Sequence, residues 1–241
     1  MIKNVEEKKG ELLEILRGRI NEIDTSYRKG PSLHFYRRVL DVRSKEKSVK
    51  SFLSVESNLE LLYATLVSWD MNSRGAKMLD FRAFTKRIAG CMTLFEDLEK
   101  VGVEIRATTF EKVRSPLRKI YESLHLMQTG SKLVSNSKFL HFVFPNLLVP
   151  MDRTNTLNYI YGNTGESAEK YLELTKLFFQ IANASNADVL SENSTGWNAS
   201  LAKMIDNAVI LATGVSLVEG NGVWSARSSV EVSVMEMDRR D

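Results

Sequence analysis

Leu126-Met127-Gln128-Thr129-Gly130-Ser131-Lys132-Leu133-Val134-Ser135-Asn136-Ser137-Lys138-Phe139-Leu140-His141-Phe142 runs on through Pro145 and Pro150 to Met151-Asp152-Arg153. Gly130 marks a turn, and the residues after it form a helix that carries Lys132 and Lys138. A proline-bounded apolar connection follows. Asp152 then stands where the next helix begins, placed to accept hydrogen bonds from the amides of its first turn. This layout fixes a carboxylate on a short leash behind a helix bearing two amines.

Outward from that stretch, helical spacing recurs. Residues 5–23 put Leu12, Leu13, Leu16, Ile20 and Ile23 on one side, and residues 31–42 repeat the pattern with Leu33, Tyr36, Val39 and Leu40. Residues 54–69 are apolar around much of the circumference, which predicts a central helix. Asp80 is predicted to cap a helix running to Leu98, and Ser115-Pro116 supplies a cap and a first-turn proline for residues 117–127. Asp152 is predicted to cap residues 154–161, which stop at Gly162-Asn163; Ser167 opens the next helix, and Asn198 opens the last, up to Gly214. Residues 185–196 read as a polar surface loop. In the tail, residues 215–241, Gly220-Asn221-Gly222 and the alternating Val230, Val232 and Val234 permit a short hairpin. The expected fold class is therefore all-α, a single compact helical protein over residues 1–241 with that hairpin as its one departure.

Composition narrows the function classes. A chain of 241 residues, 43% of them hydrophobic, can bury a large core. No apolar run approaches the roughly 20 residues that cross a bilayer, and Met1-Ile2-Lys3-Asn4-Val5-Glu6-Glu7-Lys8-Lys9 lacks the apolar core of a signal peptide. A cytoplasmic protein without a membrane partner is expected. The single cysteine, Cys91, excludes an intrachain disulfide and any multi-cysteine metal site, and its apolar neighbours place it in the core. Net charge is only +3, but basic residues gather at Arg37-Arg38 and in residues 43–50, 74–87 and 106–119. They form either one basic face or ordinary solvated helix faces. There is no Gly-rich phosphate loop, His-Glu-x-x-His or serine elbow, and His34, His125 and His141 are scattered. No metal and no cofactor is expected.

At Gly130, Lys132 and Asp152 the chain resembles the helix-hairpin-helix DNA glycosylase superfamily, nearest to its archaeal 8-oxoguanine branch. The resemblance covers about the middle and last thirds, with an echo in Leu66-Val67-Ser68-Trp69-Asp70-Met71 followed by Arg74-Gly75. Gln128-Thr129-Gly130-Ser131 stands where that family has a glycine-x-glycine hairpin, and the four-cysteine cluster of some members is absent. The resemblance implies a two-lobed helical fold, with lobes 54–165 and 1–53 plus 166–214, and double-stranded DNA as partner. It implies excision of a damaged or modified base that is rotated out of the duplex. Asp152 would stabilise the positive charge that develops on the sugar and orient the attacking water or amine. A lysine would attack the sugar carbon and form a Schiff base, giving lyase activity. Lys132 and Lys138 both fit that role, and the sequence leaves them as alternatives. Gly130, Ser131, Arg153, Arg74 and Lys77 are the expected DNA contacts, and Trp69, His141, Phe142 and Tyr159 the expected base pocket. Two other readings stand beside this one: a non-catalytic helical module binding nucleic acid or protein, and a nuclease subunit with Asp70 and Asp80 on magnesium.

Overall fold

The computed structural model describes residues 5–26, 30–72, 77–185 and 196–214. Among these the chain is all-α. Its helices are α1 (Val5–Gly18), α2 (Glu22–Ser26), α3 (Pro31–Lys45), α4 (Val49–Leu53), α5 (Glu56–Leu66), α6 (Phe81–Gly90), α7 (Met92–Val101), α8 (Phe110–Ser123), α9 (Leu133–Val143), α10 (Asn158–Tyr161), α11 (Ala168–Ala184) and α12 (Leu201–Ala212). Two π-helical turns interrupt the series, Val67–Met71 before α6 and Arg153–Leu157 before α10. Arg74, Gly75, most of the polar loop and the expected C-terminal hairpin lie outside the described residues.

The helix starts follow their capping side chains. Asp80 accepts from the Ala83 amide at 2.9 Å, Ser167 from Lys170 at 3.2 Å and Ser200 from Lys203 at 3.1 Å, so each start satisfies a backbone donor that the helix itself leaves free. The last helix thus begins at Ser200 rather than Asn198, whose amide instead donates to the Ile20 carbonyl at 3.1 Å. Other boundaries differ from the sequence reading too: residues 5–23 divide into α1 and α2, residues 54–69 into α5 and a π-helical turn, and three more fall in the middle of the chain. The helix expected to start at Pro116 starts at Phe110 and runs through that proline. The missing proline N–H deprives the carbonyl of Lys112, an exposed residue, which water can satisfy. That helix ends at Ser123, because the backbone after it pairs sideways: Leu79 N–H donates to Leu126 O at 3.0 Å and Gln128 N–H to Lys77 O at 2.8 Å. The long helix from Asp80 breaks at Gly90-Cys91 into α6 and α7.

Packing joins these elements around one continuous cluster of buried side chains. α1 lies with α11 and α12, while α3 and α4 lie against α5, and α3 and α5 both flank α9. α7 bridges α4 and α8, α8 reaches α11, and α12 meets the second π-helical turn. α9 is the central element. Its Phe139, Leu140 and Phe142 are fully buried, each contributing about 1.5–3 kcal/mol of apolar burial. Cys91 is buried, and burial pushes its thiol pKa up, as suits a packing residue. Among the described residues no helix is long and apolar enough to cross a membrane.

Candidate functional site

Two side chains one turn apart on α9 lay the apolar connection along the helix. Ser137 Oγ accepts from the Met151 amide at 3.0 Å, and His141 Nδ1 meets the Leu148 carbonyl at 2.7 Å. A carbonyl only accepts, so Nδ1 carries the proton, and His141 Nε2 is left to accept from the Tyr36 hydroxyl at 3.0 Å. Burial pulls the His141 pKa down to about 3, which keeps the ring neutral and this arrangement fixed. The connection therefore arrives at Asp152 in a set register. Asp152 Oδ1 accepts from the amides of Thr154 at 2.8 Å and Asn155 at 3.2 Å, and its own N–H donates to Thr156 Oγ1 at 2.9 Å.

Lys138, the residue after Ser137, points toward the first π-helical turn. Its Nζ donates to the Trp69 carbonyl at 3.0 Å and lies 5.8 Å from the centre of that indole. The turn is unusual: Asp70 sits at φ 64° and ψ 21°, the left-handed region, and among the described residues no other non-glycine does so. Such a conformation costs on the order of 1–3 kcal/mol, less for Asp than for most side chains. Burial lowers the Lys138 pKa from its ordinary value, and the charge of Lys203 adds to that; Asp152, Asp206 and Asp70 act the other way without offsetting it. Lys138 and Asp152 are each partly exposed as residues, while the Lys138 amine itself lies in a buried environment.

Behind them α12 supplies a second layer. Lys203 is 2% exposed, and its Nζ donates to Asp206 Oδ2 and, at 2.8 Å, to Asn207 Oδ1. The same Nζ lies 5.3 Å from the ring centres of both Trp69 and Trp197. Asn207 in turn donates to Asn198 at 2.8 Å, which ties the helix to the residues before it. Burial raises the Asp206 pKa despite the neighbouring ammonium groups of Lys203 and Lys138.

The structure thus separates the two lysines. Lys132 lies at the start of α9, with its Nζ donating to the Glu122 carbonyl at 2.8 Å and without Asp152 among the charges that act on it. The Glu166 carboxylate takes the amides of Lys132 at 2.8 Å and Leu133 at 3.3 Å. Arg153 pairs with Glu166 at 3.4 Å and donates to Ser131 Oγ at 2.8 Å. Gly130 has open space around it, Lys77 is exposed, and Arg74 is outside the described residues. Of the expected base pocket, Trp69 borders the lysines, whereas His141 and Phe142 are fully buried, and Tyr159 faces α1, its hydroxyl donating to Glu11 at 2.6 Å. Asp80 is occupied as the α6 cap, and among the described residues no group of three or more acids, histidines or cysteines is placed to hold a metal.

Sequence reasoning missed Lys203, Asp206 and Trp197. The signal was present: a lysine and an aspartate three residues apart inside Leu201-Ala202-Lys203-Met204-Ile205-Asp206-Asn207-Ala208-Val209-Ile210, a segment buried on every side. Charges in such a helix need each other.

Fold and site together define an all-α protein whose central helix carries a burial-perturbed lysine amine acted on by the charge of a helix-capping aspartate. Compared with protein-family models, with curated proteins and with solved structures, the chain matches none.

Proposed function

We propose that this protein is a DNA N-glycosylase that excises a damaged or modified base, with Lys138 as the attacking amine and Asp152 as the carboxylate that stabilises the sugar cation. The observation that carries the reading is the environment of Lys138. It is a buried amine on a partly exposed residue, with a lowered pKa, held by a backbone carbonyl within the electrostatic reach of a fixed Asp152. A free amine is what attack on the sugar C1′ requires. In that step the C1′–N bond breaks, the base leaves with the bonding pair and takes up a proton, and the amine nitrogen bonds to C1′ and loses a proton. Ring opening of this adduct gives the Schiff base. Asp152 needs no reorganisation to face the positive charge, since its own amides hold it in place.

The test is borohydride trapping of the full chain on duplexes carrying oxidised, alkylated, deaminated or bulky modified bases. A covalent adduct that survives Lys132→Ala and vanishes in Lys138→Ala supports the reading. Salt-dependent DNA binding with no adduct and no abasic product on any duplex supports the non-catalytic module instead.

A further inference from the structure

Lys138 shares its indole neighbour with a second lysine. Both amines lie within 6 Å of the Trp69 ring centre, Lys203 at 5.3 Å and Lys138 at 5.8 Å, but their partners differ in kind. Lys203 Nζ donates to a carboxylate, Asp206, and to the Asn207 amide oxygen, with a second indole, Trp197, as near to it as Trp69. A neutral amine there would leave Asp206 as a buried carboxylate without its counter-ion. Lys138 Nζ donates to a backbone carbonyl, a bond that an uncharged amine keeps.

We propose that Lys203 is the resident cation of this site and acts as a positioning residue for Lys138, so that Lys138 is the amine that gives up its proton. This deepens the glycosylase reading, and its test asks nothing of DNA. Every charged group facing Lys138 enters the argument. Asp152, at the head of the second π-helical turn, is engaged by its own amides, and Asp206, on α12, is engaged by Lys203. Asp70 faces it from the first π-helical turn, and His141, on the same helix, is neutral. The carboxylates with the strongest claim on a second ammonium group are thus already partnered, while Lys203 repels one. The lowered pKa of Lys138 agrees with this division.

The experiment is a pH titration of lysine ζ resonances in the isotope-labelled full chain, assigned through Lys138→Arg and Lys203→Arg. The Lys138 signal is expected to move at lower pH than those of surface lysines, with Lys203 unchanged over that range. Asp206→Asn should lower the Lys138 midpoint, and adding Lys203→Gln to it should raise that midpoint again. In pulse acetylation at neutral pH these are changes of about tenfold in the Lys138 rate, in opposite directions. Lys203 moving with or before Lys138 overturns the proposal, as does a double variant whose Lys138 midpoint stays where Asp206→Asn put it. The wild-type titration decides the matter if the variants fail to fold. If the titration runs as expected but trapping on DNA fails, the charge assignment stands and the glycosylase reading falls.

Discussion

The start and the middle of α9 carry the same residue type in opposite settings. At its start Lys132 lies over the end of α8, among carbonyls, with Glu166 and Arg153 nearby and water within reach. A turn and a half further on, Lys138 is enclosed by Trp69, the α12 ion pair and Asp152. Burial lowers both pKa values, but only Lys138 has Asp152 among the charges that act on it. What separates the settings of the two lysines is which connection the helix holds against its side, and Ser137 and His141 make that choice.

The sharpest way to break this contrast is to remove its charges one at a time. Asp152→Asn keeps an oxygen for the Thr154 and Asn155 amides while discarding the charge, and should slow base release by roughly 10²–10³-fold with the borohydride adduct reduced in step. Lys132→Ala should leave both nearly intact. An adduct that follows Lys132 would reverse the assignment. Next in size is the second layer: Asp206→Ala leaves Lys203 buried without its counter-ion and should cost about 3–5 kcal/mol in urea denaturation.

The register of the connection can be tested by acid. His141 has a folded pKa of about 3 against an ordinary 6.5, so between those values the unfolded chain binds the extra proton. Its contribution is complete above the upper value and is lost as the pH falls toward the lower one, at about 1.4 kcal/mol per pH unit. His141→Leu should remove that slope from the stability profile and, at neutral pH, expose the cost of leaving the Tyr36 hydroxyl and Leu148 carbonyl unpaired, roughly 1–3 kcal/mol each. Equal acid slopes in the two proteins would mean that another group controls the profile.

Much of the scaffold was readable beforehand because its signals are local. Periodic leucines and phenylalanines announced α1, α3 and α11, and Asp80, Asp152 and Ser167 were read as caps and are caps. Pro116 misled because a proline in an exposed helix interior costs less when water can serve the carbonyl it strands. At the site, Lys138 and Asp152 stood in the decisive stretch, yet the choice between Lys138 and Lys132 depends on helix phase relative to a distant turn. His141 and Phe142 looked like pocket aromatics because sequence records ring type but not which side of α9 meets α3 and α5. Asp206 and Lys203 come from a helix far along the chain, and only the folded packing brings Lys203 to Trp69 and Trp197.

The smallest effect probes the outer end of α9. Glu166→Gln removes a charged acceptor from the Lys132 and Leu133 amides and a partner from Arg153, and the lost capping is worth about 1 kcal/mol of stability. The Lys138 adduct should persist, since Glu166 is not among the charges acting on that amine. DNA affinity is the more informative readout. If a backbone phosphate uses those amides it must displace a carboxylate, so the variant should bind duplex more tightly at low salt. Unchanged affinity would instead point to the basic helices α6 and α8 as the DNA contact, and would leave Glu166 as a permanent internal cap of α9.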